Sequence, residues 1–147
     1  MNIVFVCTGN TCRSPMAEVI AKSVFEHKGI DAKIISRGLS VPFKSKASAN
    51  SEICVSEMGL SLEGFMSEPL TYEDIEWADV LITMTSSHKN MLADICREKN
   101  KELYTLAEAA CETADVSDPF GCDISVYRNC AMQIKSYIEK IGERIAL

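Results

Sequence analysis

Short apolar runs alternate with helical patterns along the whole chain, and this alternation restricts the fold more than any other feature of the sequence. Strands that are separated by helices pair in parallel through right-handed crossovers, and helices cover both faces of such a sheet. The sequence therefore predicts an α/β fold with an open parallel sheet. The predicted strands are residues 2–6, 32–35, 79–84 and 103–106, and the predicted helices are residues 15–28, 47–58, 87–99 and 124–145.

The first predicted helix has clear signals at both ends. Ser14 is expected as its N-cap, Pro15 suits its first turn, and Gly29 ends it. In an open parallel sheet, ligands bind beyond the carboxyl ends of the strands. The segment that joins the first strand to this helix therefore lies where a ligand is expected.

The length, charge and first residues limit the class of protein. A chain of 147 residues is long enough for one core and too short for two ordinary domains, so we expect a single domain over residues 1–147. The apolar start is too short for a secretory signal or a membrane span, which predicts a cytoplasmic protein without a membrane partner. A formal net charge of −6 argues against nucleic acid as a partner. We also expect a monomer.

The cysteines argue against a metal centre. There are seven of them with no C-x-x-C pair, and the two histidines, His27 and His88, are not spaced with them as zinc ligands. An odd number fits reduced thiols better than a disulfide framework, and neither a metal nor a cofactor is expected. Small core or half-buried positions are expected for Cys54, Cys96, Cys111 and Cys130.

The octapeptide CTGNTCRS, residues 7–14, joins the first strand to the first helix. A strand, a glycine-bearing loop and a helix start aim several backbone N–H groups at one point, which suits an anion. The loop lacks the second glycine and the lysine of a nucleotide-binding Walker loop. It has instead Cys7, whose thiolate form such amides stabilise, and Arg13, whose planar fork of donors suits phosphate oxygens. A nucleophile and a phosphate cradle in one loop predict phosphatase chemistry.

The C-x5-R spacing is weak evidence by itself, because residues 122–128, CDISVYR, match it as well. This second match has no apolar strand before it and no glycine within it, and it overlaps the apolar stripe of the last helix. We therefore interpret it as a coincidence.

The segments FVCTGNTCRSPMAE and DPFG, residues 5–18 and 118–121, resemble two motifs of the low-molecular-weight protein phosphatases. The resemblance covers nearly the whole chain and implies a four-stranded parallel sheet, doubly wound with helices on both faces. It implies that Cys7 is the nucleophile, that Arg13 holds the phosphate and that Asp118 is the general acid. It also implies that Ser14 hydrogen-bonds the Cys7 sulfur and that Asn10 braces the loop. The phosphate-binding residues would be Thr8, Gly9, Asn10, Thr11, Cys12, Arg13 and Ser14.

Within that family, two positions resemble the bacterial protein-arginine phosphatases. Thr11 stands where tyrosine-directed members commonly carry a larger aliphatic residue, and Phe120 is followed by Gly121 rather than by a second aromatic residue. The resemblance implies that Thr11 and Phe120 set the specificity for phosphoarginine in proteins or peptides. Thr11 leaves space and a hydroxyl for a guanidinium group. The alternative is a protein-tyrosine phosphatase, acting on phosphotyrosine.

A third hypothesis, an arsenate reductase on the same fold, needs two further cysteines near the loop. The resemblance would place them after the third strand, where residues 85–92, TSSHKNML, contain none, although Cys12 and Cys96 are conceivable substitutes. Cys12 lies on the same short loop as Cys7. It is expected to be a redox partner that traps an oxidised Cys7 as a disulfide.

Structural rather than catalytic roles are expected for several other polar residues. His88 is expected to be an exposed residue at a helix start rather than a base. Arg37 stands where alanine is usual in the resembling family. A solvated face and a helix start are expected for the acidic residues Glu73, Asp74, Glu76 and Asp79.

Overall fold

Four parallel strands form the sheet of the computed structural model, which describes residues 1–146. The strands are β1 (Asn2–Cys7), β2 (Lys33–Gly38), β3 (Val80–Thr83) and β4 (Glu102–Thr105). They lie in the order β2-β1-β3-β4, so that β1 is central and pairs in parallel with a strand on each side. The helices are α1 (Arg13–His27), α2 (Ala49–Glu57), α3 (Tyr72–Trp77), α4 (Ser86–Glu98), α5 (Leu106–Ala109) and α6 (Ile124–Ile145).

Alternate residues of β1 face opposite sides of the sheet, as the period of a strand requires. Ile3 and Phe5 pack in the larger core, to which α1, α2 and α6 contribute. Val4 and Val6 pack in a second core with residues of α3 and α4. Every residue from Ile3 to Cys7 is buried, which fits a strand covered on both faces. The prediction of a doubly wound, four-stranded parallel sheet is confirmed.

The predicted strands and long helices are all present, with ends that differ by a few residues. α1 begins at Arg13, and its N-cap is Cys12 rather than Ser14, so the prediction for Ser14 was wrong. The Ser14 hydroxyl is engaged by the side chains of the loop instead. α6 has the predicted bounds, with Asp123 as its N-cap. No helix within residues 1–146 is long and apolar enough to cross a membrane.

The acidic segment starts a helix and is exposed as expected, except for the half-buried Asp74. Thr71 and Asp74 form a capping box at the start of α3. The Asp74 carboxylate also accepts a hydrogen bond from Nε of Arg37 at 2.9 Å, which gives this unusual arginine a partner. Asp79 accepts from the backbone N–H of Asn2 at 2.7 Å and so fixes the start of β1. α5 was not predicted from the sequence.

Candidate active site

The loop of residues 8–12 leaves β1 at the carboxyl edge of the sheet and turns into α1. Asn10 adopts the left-handed conformation, with φ of 56°, which asparagine tolerates better than most residues. Gly38, at the end of β2, allows the loop to come close. A Cβ at Gly38 would lie 2.8 Å from the carbonyl oxygen of Thr8 and 3.1 Å from Cβ of Asn10. The neighbouring strand therefore has to end in glycine for the loop to keep this shape.

Cys7 stands at the start of the loop and is only 2% exposed. Its Sγ lies 2.9 Å from Oγ of Ser14. The same Ser14 oxygen accepts a hydrogen bond from Nδ2 of Asn10 at 2.8 Å, which leaves the serine proton free for the sulfur. A donated hydrogen bond stabilises a thiolate, the nucleophilic form of cysteine.

Asn10 connects the loop to two other parts of the chain. Its Nδ2 also lies 3.0 Å from Oγ of Ser36, which in turn donates to a carboxylate oxygen of Glu18 at 2.8 Å. Its Oδ1 accepts from the backbone N–H of Glu68 at 2.9 Å. The roles of Ser36 and Glu18 were not predicted from the sequence. The available signal for Ser36 was its place near the end of a strand that pairs with β1.

Arg13 is buried at the first turn of α1, with 4% of its surface exposed. Its Nη1 donates to the carbonyl oxygen of Val116 at 3.0 Å, and its Nη2 lies 3.7 Å from Oδ2 of Asp118. The backbone N–H of Val116 donates to the carbonyl of Met84, next to the end of β3. The segment that carries Asp118 is thereby held against both the sheet and the arginine. The Asp118 side chain itself remains 52% exposed.

A cleft of about 230 Å³ brings most of the predicted residues together. Asn10 and Ser14 do not line it, because both are fully buried behind the loop. Other grooves are larger, including one of about 470 Å³ between α2 and α6, but none of the predicted site residues lines that groove. No group of histidine, cysteine and acidic side chains in residues 1–146 could hold a metal ion. The cleft is lined by Cys7, Thr8, Gly9, Thr11, Cys12, Arg13, Asp118 and Phe120.

Comparison with known protein families identifies the family to which this chain belongs. The family described as low molecular weight phosphotyrosine protein phosphatase matches residues 2–146. The chain belongs to this family.

Its relatives in the family carry two activities in their names. A protein-arginine-phosphatase of Bacillus subtilis (strain 168) is 34% identical over 146 residues, which are 99% of this chain and 97% of the relative. A low molecular weight protein-tyrosine-phosphatase, PtpB, of Staphylococcus aureus is 36% identical over 145 residues, 99% of both chains. A solved structure of the YwlE arginine phosphatase, a mutant with a phosphorylated active-site serine, has a TM-score of 0.92 and 33% identity, covering 99% of this chain and 95% of that one.

Cys12 is the second thiol of the low-molecular-weight phosphatase loop in this chain. Its Sγ lies 3.3 Å from the hydroxyl oxygen of Tyr127 and 3.6 Å from Oγ of Ser48. Burial, followed by the hydrogen bond with Cys12, raises the pKa of Tyr127 to about 12. Cys12 thus packs against α6 while it also lines the cleft.

His88 is buried, so the expectation of an exposed residue was wrong. It occupies the third position of α4, just beyond β3, and its Nε2 lies 2.9 Å from Oγ1 of Thr8. Burial, followed by the charge of Arg13, lowers the pKa of His88. The segment after β3 meets the loop after β1 because these strands are neighbours. That adjacency was the signal in the sequence that could have indicated a buried position.

Four further cysteines do not line the cleft, namely Cys54, Cys96, Cys111 and Cys130. Cys54, Cys96 and Cys130 are buried as expected, and burial raises the pKa of each thiol, to about 12 for Cys130. Cys111 is exposed, which corrects the expectation for it. Cys96 packs in the core on the side of β1 opposite to Cys7. It is therefore badly placed to substitute for the relay cysteine of an arsenate reductase.

Proposed function

We propose that this chain is a protein-arginine phosphatase, a cysteine-dependent hydrolase that removes phosphate from phosphoarginine in proteins. The observation that carries the choice of arginine is Thr11, a small residue with a hydroxyl in the same cleft as Cys7 and Asp118. Named arginine phosphatases are among the relatives over nearly the full chain. Overall identity does not decide, because PtpB proteins named for tyrosine are equally similar.

In the proposed reaction, the Cys7 thiolate attacks phosphorus in line, so that an S–P bond forms while the P–N bond to the guanidine breaks. The loop amides and Arg13 hold the three equatorial oxygens, where charge is concentrated in the transition state. Asp118 gives its proton to the departing guanidine nitrogen. Its carboxylate then takes a proton from water, whose oxygen attacks the phosphocysteine, so that the S–P bond breaks and phosphate leaves. These steps use no metal and no cofactor.

The contact between Arg13 and Asp118 fits this sequence of steps. At 3.7 Å, Nη2 of Arg13 faces the carboxylate in the unliganded cleft. A phosphoryl group that occupies the cradle takes these guanidinium donors, because phosphate accepts two parallel N–H bonds. Asp118, which is half exposed, is then left facing the leaving group.

Thr11 supports arginine over tyrosine through polarity and size. A phosphoarginine presents a planar group with N–H donors, whereas phosphotyrosine presents an apolar ring. A hydroxyl lining the cleft accepts from a guanidinium, whereas a branched aliphatic side chain desolvates it without a hydrogen bond. Phe120, exposed at the mouth of the cleft, can stack on either group and does not discriminate by itself.

A protein-tyrosine phosphatase is the second candidate. The similarity to PtpB over 99% of both chains favours it, and Phe120 beside the cleft is compatible with it. In both cases the partners are phosphorylated proteins or peptides.

The seven free thiols fit a reducing compartment such as the cytoplasm. The monomeric state of the protein stays a prediction.

The experiment that tests the proposal compares kcat/KM for one peptide carrying phosphoarginine and one carrying phosphotyrosine. We expect the wild type to favour phosphoarginine. Thr11→Ile should shift the ratio of the two values toward phosphotyrosine by about 10–100-fold, since a matched contact in a pocket is worth about 1–3 kcal/mol. Thr11→Ser, which keeps the hydroxyl, is the control and should keep the preference. A wild type that prefers phosphotyrosine, or equal changes for both peptides in Thr11→Ile, would overturn the arginine assignment.

We also propose that Cys12 protects Cys7 from irreversible oxidation. Peroxide oxidises the Cys7 thiolate to a sulfenic acid, and the Cys12 thiol displaces water from it to form a disulfide, which a thiol reductant reverses. Both residues line the same cleft. Mass mapping of the oxidised protein should find the Cys7–Cys12 linkage, and in Cys12→Ser the loss of activity should become irreversible. An oxidised protein that recovers fully without this linkage would contradict the proposal.

A further inference from the structure

His88 is a buried polar residue that contacts the cleft residue Thr8 and that the proposed reaction does not use. It is 6% exposed, and its Nε2 lies 2.9 Å from Oγ1 of Thr8, the residue directly after Cys7. Its Nδ1 is buried and has no hydrogen-bond partner in the part of the chain that the structure describes. A histidine held in this way is costly, because a buried polar atom without a partner loses its hydration.

The unpartnered nitrogen indicates which ring atom carries the proton. A neutral imidazole has one N–H group and one acceptor nitrogen. A proton on Nδ1 would bury a donor without an acceptor. Native proteins avoid this more strictly than they avoid a buried acceptor without a donor. Burial and the nearby Arg13 lower the pKa of His88, and the carboxylates of Asp118 and Asp115 oppose this more weakly. The neutral ring with its proton on Nε2 is therefore the favoured form, and Nε2–H donates to Thr8.

This direction of donation determines what the Thr8 hydroxyl can do. When Oγ1 of Thr8 accepts from His88, its own proton remains available for another acceptor. His88 is its hydrogen-bond partner among residues 1–146, and Thr8 lines the cleft together with Cys7 and Arg13. The group that occupies this cleft in the proposed reaction is a phosphoryl dianion, which has three oxygens to accept hydrogen bonds.

We propose that His88 is a positioning residue of the phosphate cradle. Its Nε2–H orients the Thr8 hydroxyl so that Thr8 donates to an oxygen of the bound phosphoryl group. The inference rests on the proposed phosphatase function and adds one side-chain donor to the loop amides and Arg13. It does not depend on whether the leaving group is arginine or tyrosine.

The alternative is that His88 only ties α4 to the loop, in which case its loss lowers stability without a selective effect on oxyanion binding. Four single variants separate the two roles. Thr8→Val removes the hydroxyl at constant shape and Thr8→Ser keeps it. His88→Leu removes the ring donor, and His88→Gln keeps an amide N–H near the position of Nε2.

The experiment measures the inhibition constant of inorganic phosphate against p-nitrophenyl phosphate hydrolysis, with thermal unfolding of each variant as the record of stability. Loss of one hydrogen bond to a charged group should raise this constant about tenfold in Thr8→Val and in His88→Leu. It should stay within about twofold of the wild type in Thr8→Ser and His88→Gln. The double variant Thr8→Val/His88→Leu should bind phosphate no more weakly than either single variant, because both changes remove the same donor.

Three results would overturn the proposal: an unchanged inhibition constant in Thr8→Val, a constant in His88→Gln as high as in His88→Leu, or multiplied effects in the double variant. If His88→Leu does not fold, Thr8→Val and His88→Gln still decide. A wild type that hydrolyses p-nitrophenyl phosphate but no phosphoarginine peptide would defeat the arginine assignment and leave this test readable.

Discussion

The chain contains the spacing C-x5-R twice, and the two copies lie in opposite environments. Cys7 and Arg13 flank a loop between a buried strand and a helix, and both are almost fully buried. Cys122 is an exposed thiol in front of α6. Arg128, in the second turn of that helix, is 49% exposed and paired with Glu57 at the surface. The same spacing thus lines the candidate active site in one place and contributes to a surface ion pair in the other.

The difference comes from what surrounds the spacing. The strand β1, which is covered on both faces, ends at Cys7 at the edge of the sheet. There the Cys7 thiol lies within hydrogen-bond distance of the Ser14 hydroxyl. Before Cys122 the chain makes the turn after Asp118, and Arg128 follows the periodicity of an amphipathic helix. The C-x5-R spacing therefore predicts an active site only where a buried strand precedes the cysteine and a helix begins at the arginine.

The largest contrast is expected for the two cysteines. Cys7→Ser should lower phosphatase turnover by about 10⁴-fold or more, because the proposed nucleophile is lost. Cys122→Ser should leave kcat/KM within about twofold of the wild type, since its side chain does not line the cleft. The measurement is steady-state kinetics, together with phosphate binding to Cys7→Ser, which should persist because the amides and Arg13 remain. More than a trace of activity in Cys7→Ser would break the contrast.

The next contrast concerns two aspartates of the same segment. Asp118→Asn should slow phosphoarginine hydrolysis by about 10²–10⁴-fold, the usual contribution of a general acid. Asp123→Asn is the matched control, because asparagine caps a helix as well as aspartate does and Asp123 caps α6. Comparing kcat for both variants with the same peptide tests the assignment. An unchanged rate in Asp118→Asn would reduce Asp118 to a turn residue.

The two arginines should differ by a smaller factor. Arg13→Lys removes the planar fork and should lower kcat/KM by about 10²–10³-fold, as for the loss of one oxyanion donor. Arg128→Lys should leave kcat/KM unchanged and should change the free energy of unfolding little, since half-exposed ion pairs are weak. Kinetics and denaturant unfolding of both variants give the comparison. Equal kinetic effects of the two changes would contradict the account.

The sequence predicts the order of the strands and long helices because their periodicity is local. It also gives the position of Cys7, since a buried strand followed by a glycine-bearing loop is visible in consecutive letters. The burial of His88 and the contact of Arg37 with Asp74 were not predicted, because they depend on which segments follow neighbouring strands. Cys111 was placed wrongly by a preference of its residue type, although it lies in an exposed turn with φ of 59°.

The Ser14 cap shows a different limit. Serine before proline is a strong local signal for an N-cap. In the structure the helix starts one residue earlier than Ser14, and the hydroxyl lies between Cys7 and Asn10. The preference of serine for an N-cap position was overridden by its hydrogen bonds in the candidate site. Departures from local preferences are expected at such sites.

Phosphate is expected to pass through Cys7 and not through Cys122 of the second C-x5-R spacing. The most direct measurement is a rapid quench, in denaturant near neutral pH, of the wild-type protein turning over a phosphoarginine peptide, followed by mass mapping of phosphocysteine. A transient phosphoryl group is expected on the peptide that contains Cys7, formed and lost at rates compatible with kcat, and none is expected on the peptide that contains Cys122. Label on Cys122, or turnover at full rate without phosphate on Cys7, would contradict this expectation.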